Sequence, residues 1–389
     1  MTISIDNQVL RLGVPVLLLS LILIFILINK KALSLVSKTS SFKYYIAITI
    51  TLSFSVVIAY FNNMPLGSSI SAMLKVFLMG GFFVLGFILA LYGKLKVSLF
   101  IITSSVLWHL LAGISGYFLG IGDDIHGVLR PTGIAGKVNV LANLALFSAV
   151  FYGARGFLEK QNRFALLTIM FMSLCMIFFS GTLKNVIALF GAVAVYAFLG
   201  SNRKFLTISV FLALFVPVSI GLALYTPIGD RIIEAFVAGI DVEVEEGQKL
   251  ESSLQWRVLH WKLLFDDWLA RFFWQGAGFG QVGNMNALKT ESGVGFVAHS
   301  DWLQFWVELG PVLFIFFIYF HFKLLRPVYK MAREGESLAF GLFFAFIAQV
   351  IAMLAGPVYF SVSFFYYFWL LLGMLAAKEF RDNQLVKAK

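Results

Sequence analysis

Long apolar runs broken by short polar turns repeat along almost the whole chain. A helix needs about 20 apolar residues to cross the hydrocarbon of a bilayer. Eleven runs approach that length, at 12–29, 44–61, 68–92, 97–119, 135–154, 164–181, 184–200, 205–225, 299–320, 338–356 and 359–377. The pattern predicts an all-α, polytopic transmembrane helix bundle. The boundary between 164–181 and 184–200 is the least distinct, because only "SGTLKN" separates them. The first run, "VPVLLLSLILIFILIN", has neither a basic leader nor a small-residue cleavage site. It is read as the first span and not as a removable signal.

One connection breaks the rhythm. Residues 226–298 join two spans and divide the chain into helices 1–225, a long loop 226–298 and helices 299–389. Loops of that length are usually functional or disordered. Within it, "SSLQWRVLHWKLLFDDWLARFFW" sets Leu254, Val258, Trp261, Phe265 and Trp268 at helical spacing, with Arg257, Lys262, Asp266 and Asp267 between them. Ser252 or Ser253 is suited to cap its start. A Trp-rich amphipathic helix between spans is expected to lie in the membrane interface; the plainer reading is a lid packed on the bundle. Ten of the twenty acidic residues fall in this loop, which leaves the spans almost free of acids. The run "DVEVEEGQKLE" is read as solvated. "QGAGFGQVGN" imitates half of a dinucleotide fingerprint, but no strand precedes it. Gly278 and Gly280 are better suited to a tight turn or to close backbone approach to a ligand.

Composition agrees with the pattern. The chain is 60% hydrophobic and 13% charged, against roughly 25% charged in soluble domains. A net charge of +10 raises the question of nucleic acid. Placement answers it. Every second connection is basic, and nineteen of the thirty Lys and Arg residues lie in those connections and the C-terminal tail. Basic connections face the cytoplasm, so the surplus is topological and no nucleic-acid partner is needed. The N-terminus is expected outside and the C-terminus in the cytoplasm. The lone cysteine, Cys175, supports neither a disulfide framework nor a thiolate metal site.

This orientation gathers His126, Arg130, Lys184, Arg257, His260, His299 and Asp301 on the outer face. Asp123, Asp124 and His126 have metal-like spacing, yet they do not complete a ligand set. They are read as a polar loop, and neither metal nor cofactor is expected. Arg130 is equally suited to bidentate phosphate contact and to snorkelling. Lys184 lies between two apolar runs, where a cation is costly unless solvated or paired. His109, in mid-span, is expected to bond a backbone carbonyl. His321 falls at the cytoplasmic end of its span.

Four stretches occur in order: "RPTGIAGKVNVLANLALF", "SGTLKNVIALF", "WRVLHWKLLF…GAGFGQ" and "AHSDWLQFWVELGPVLF". Together they resemble the O-antigen ligase and O-antigen polymerase superfamily of membrane glycosyltransferases, over roughly residues 120–320. The resemblance implies about twelve spans, against the eleven counted here. It implies a bacterial inner-membrane enzyme with a periplasmic site. The donor would be an undecaprenyl-pyrophosphate-linked glycan, and the acceptor a lipid-linked repeat in a polymerase or lipid A–core in a ligase. A chain-length regulator is a partner of such systems. By motif, His299 matches the histidine that activates the acceptor hydroxyl, Arg257 the loop arginine, and Arg130 the arginine of the "RPTG" stretch. The sequence departs from the family where Lys184 stands near a usual Ser-Arg-Gly, and where His-Ser replaces His-Asn.

The residues alone suit that chemistry. A pyrophosphate leaving group needs cations near its oxygens, which Arg257, Arg130 and Lys184 offer. An attacking hydroxyl needs a base with near-neutral pKa, which His299 offers. Asp301 is suited to orient that imidazole, to pair with an arginine, or only to favour the helix dipole. A short chain without a lipid A–core platform favours the polymerase. The rival readings are a transporter or flippase, a metal-dependent transferase and a scaffold. The cations crowd one face and no internal repeat is evident, which disfavours the transporter.

Overall fold

A computed structural model describes residues 29–125, 128–200, 221, 253–289, 293, 295–361 and 363–387. Eleven α-helices occur among the described residues, and six are long and apolar enough to cross a membrane. The protein is a multi-pass membrane protein of the all-α class. The first and eighth runs read from hydropathy, 12–29 and 205–225, lie outside the described residues, as does the acidic stretch before Ser253. Contacts divide the chain into two compact units.

The first unit comprises Met1–Ser98, His260–Pro327 and Phe365–Lys389. Helix α1 (Lys30–Val36) leads into α2 (Ser40–Phe61), whose start is capped by the Thr39 hydroxyl accepting from Phe42 N. At 22 residues, α2 reaches about 33 Å, enough to cross the hydrocarbon. Helix α3 (Leu66–Leu91) packs beside it: the Tyr45 ring fills the notch at Gly80 and its hydroxyl donates to Val76 O. Small residues also let α3 meet the last helix closely. Gly86 abuts the Leu370 carbonyl, and Gly373 abuts that of Phe83.

The second unit comprises Leu99–Leu259 and Val328–Phe364. Helix α4 (Leu95–Phe118) is followed by a hairpin of β1 (Asp123–Ile125) and β2 (Val128–Arg130), paired antiparallel with Asp123 opposite Arg130. Hydropathy gave no sign of this hairpin. Helix α5 (Val138–Leu158) is the buried centre, flanked by α6 (Arg163–Phe179) and α7 (Leu183–Gly200). The doubtful boundary is real: a turn at Ser180–Thr182 separates α6 from α7. His109 bonds the Ser105 carbonyl at 2.8 Å, as the sequence suggested.

Helix α8 (Ser253–Arg271) is the helix foreseen in the long loop. Its helical period is present. Phe265 is 41% exposed, while His260, Leu264, Trp268 and Phe272 point inward. Helix α9 (Asp301–Arg333) takes up the run that begins at His299 two residues later, α10 (Ser337–Ala352) follows, and the last helix is α11 (Trp369–Lys387). The expected final span at 359–377 is displaced. A π-helical turn at Ser363–Phe368 precedes α11, and Gly356–Ser361 is not helical.

Candidate active site

Helix α9 starts where the polar triplet ends. Ser300 is its cap: its hydroxyl accepts from Leu303 N at 3.3 Å, and its carbonyl takes the first helical bond, from Gln304 N. Asp301 is the first helical residue and is buried. An acid is favoured there by the helix dipole. His299 stands just outside the helix with φ 52°. Such a backbone is uncommon for any residue but glycine. It turns the chain abruptly at the histidine.

The core beneath this turn joins three segments. Ala298 shares a buried cluster with Leu264 and Trp268 of α8, Phe272 just after it, Ala277 and Val282 of the glycine loop, Met285 just beyond it, and Val307 of α9. The glycine loop, 276–284, closes against protein backbone. Gly276, Gly278 and Gly280 all have positive φ. A Cβ on Gly276 would meet the Glu308 carbonyl, one on Gly278 would meet Ala59, and one on Gly280 would meet the Ser68 carbonyl. The sequence raised close approach to a ligand; these glycines approach the ends of α2 and α3 and the middle of α9.

The approach to α9 has a covalent cause. Pro311 has no N–H, and Gly310 is non-helical at φ 68°, ψ 169°. Together they break the helix and release the carbonyls before them. Val307 O then accepts from Ala277 N at 2.9 Å, and Glu308 O from Gly278 N at 2.8 Å. The loop thus completes a broken helix. Side chains staple its far side: Asn62 donates to Gly276 O, Ser69 to Phe279 O, and Gln281 to both Pro65 O and the Ser69 hydroxyl.

Glu308 was not singled out from the sequence, although an acid within an apolar run is itself a functional signal. It has no exposed surface. One carboxyl oxygen accepts from Val282 N at 2.9 Å and from Gln304 Nε2 at 3.3 Å. The other oxygen is buried and has no hydrogen-bond partner among the described residues. His260 is also fully buried, with its ring edge-on to Phe296. Burial lowers its pKa, against the raising effect of the Val297 and Phe296 backbone.

Arg130 and Lys184 meet around a different turn, in the second unit. Arg130 ends β2, with Nε donating to Ser180 O at 2.6 Å and Nη2 to the Thr182 hydroxyl at 3.1 Å. These bonds fix the turn that opens α7. Lys184 lies in the first turn of α7 and is buried, its chain against Gly356 so closely that a Cβ there would strike the ammonium. Arg257 stands on α8 four residues before Trp261, a spacing that puts both on one helix face. Of the metal-like trio, Asp123 is exposed in β1 and His126 lies outside the described residues.

Residues 168–318 match the family described as O-antigen ligase. The match covers less than half of the chain. The matched segment contains Lys184, Arg257, Gly278, Gly280, His299 and Asp301, and it ends within α9; Arg130 lies before it. It supports the ligase and polymerase superfamily that the four sequence stretches resemble. No curated protein matches the chain.

Proposed function

We propose that the protein is a glycosyltransferase of the bacterial inner membrane that moves a glycan from undecaprenyl pyrophosphate to an acceptor hydroxyl at the periplasmic face. The observation that carries this reading is His299, fixed in a left-handed turn at the capped start of α9, inside the matched domain. In this reading His299 takes the acceptor proton as the oxygen attacks the anomeric carbon, and the bond to the pyrophosphate breaks with inversion. Asp301 steadies the resulting imidazolium. Arg257, Arg130 and Lys184 offset charge on the leaving group. An anion near Lys184 is also favoured by the α7 N-terminus. Gly278 and Gly280 shape the loop beneath His299, and neither metal nor cofactor takes part.

Polymerase is the first reading, with a second lipid-linked repeat as acceptor. The description of the matched family favours the second, a ligase acting on lipid A–core. Purified protein in lipid with undecaprenyl-pyrophosphate-linked repeats as sole substrate separates them. A ladder of growing product makes it a polymerase. Transfer only after lipid A–core is added makes it a ligase, and no transfer in either case counts against both.

A further inference from the structure

Two non-glycine residues among those described have positive φ, and His299 is one of them. Such a backbone persists where the surroundings impose it, and here both flanks are held. On the C-terminal side, the Ser300 cap starts α9. On the N-terminal side, two consecutive residues of α8 grip the approach. His260 is buried against the backbone of Phe296 and Val297. Trp261 donates its indole Nε1–H to the carbonyl of Ala298, the peptide group joined directly to His299. Ala298 itself has no exposed surface and belongs to the core under the turn. A rotation of that peptide plane would swing the His299 side chain, and the indole bond opposes it.

We propose that Trp261 is a positioning residue for His299: its indole N–H fixes the Ala298 carbonyl and so the direction from which the imidazole meets the acceptor hydroxyl. This rests on the reading of His299 as the base. Misplacing a catalytic group by an ångström costs on the order of a hundredfold in rate. Trp261→Phe removes the N–H while keeping an aromatic ring. In the reconstituted transfer assay the expected result is a fall in kcat of about tenfold to a hundredfold, with KM for both substrates unchanged and a drop in melting temperature no larger than the unmatched Ala298 carbonyl accounts for. Trp261→Gln, which restores an N–H donor, should recover part of the loss. Wild-type kcat in Trp261→Phe would overturn the proposal. So would a rise in KM at constant kcat, which would make Trp261 a sugar contact, or a drop in melting temperature that Gln does not repair and that alone accounts for the lost activity. His299→Ala runs in parallel: if it retains transfer, the base reading fails whatever Trp261 does. If it is inactive while Trp261→Phe is unimpaired, only the positioning proposal fails.

Discussion

Glu308 and His260 are buried polar groups with opposite consequences. The Glu308 carboxyl is the acceptor for Val282 N. Glu308→Ala leaves that buried N–H unmatched, which costs about 1–3 kcal/mol. Glu308→Gln keeps an acceptor oxygen in the same place and removes the need to bury a charge. The Ala variant should melt clearly lower than wild type in lipid, and the Gln variant close to it. An equal loss in both would mean that the ionised carboxylate, not its acceptor oxygen, holds the loop. For His260 the folded pKa lies below the ordinary 6.5. Below that value the unfolded chain binds a proton that the folded protein refuses, so stability is intact above about 6.5 and falls as the pH drops further. Melting curves of wild type and His260→Phe from pH 8 to 5 should diverge in that direction, with the wild type more pH-sensitive. Parallel curves would contradict the neutral, buried assignment.

At the scale of elements, the clearest device is the break in α9 filled by the glycine loop. Gly278 has φ 104°, and its missing side chain leaves room for Ala59 of α2. Gly278→Ala meets strain and collision at once. Loop 276–284 should lose its seat, with faster proteolysis near it and a loss of transfer of at least tenfold; a variant as resistant and active as wild type would remove the loop from the account. How legible such elements were depends on what fixes them. Bilayer thickness writes the spans directly into hydropathy, so α2, α3, α5 and the α6–α7 pair were readable. The hairpin Asp123–Arg130 is too short to leave a periodic trace. The burial of His260 and Leu264 on α8 was not readable, because neither stands out from its neighbours in sequence. The broken carbonyls of Val307 and Glu308 were implicit in Gly310–Pro311, but their partners, Ala277 and Gly278, are set by tertiary packing. His299 and Asp301 were legible as polar residues at a helix start. The left-handed backbone of His299 and the hold of Trp261 on Ala298 were not, because neither produces a sequence period.

For the whole molecule, the sequence reading assigns most of the Lys and Arg behind the net charge of +10 to basic connections, an expectation about orientation in a membrane. The matched domain runs through the turn at Lys184, helix α8, the glycine loop and the start of α9. In the proposed function, a lipid-linked donor would keep its polyprenyl chain in the bilayer while the pyrophosphate and acceptor met at the surface. The central claim is that His299 takes the acceptor proton. Its most direct test is transfer from undecaprenyl-pyrophosphate-linked repeats by wild type and His299→Ala, reconstituted in lipid at matched amounts and matched melting temperature. The account predicts a loss of at least a hundredfold, within the 10²–10⁴-fold range of general-base catalysis, roughly stated. Transfer by His299→Ala within a few-fold of wild type would contradict it.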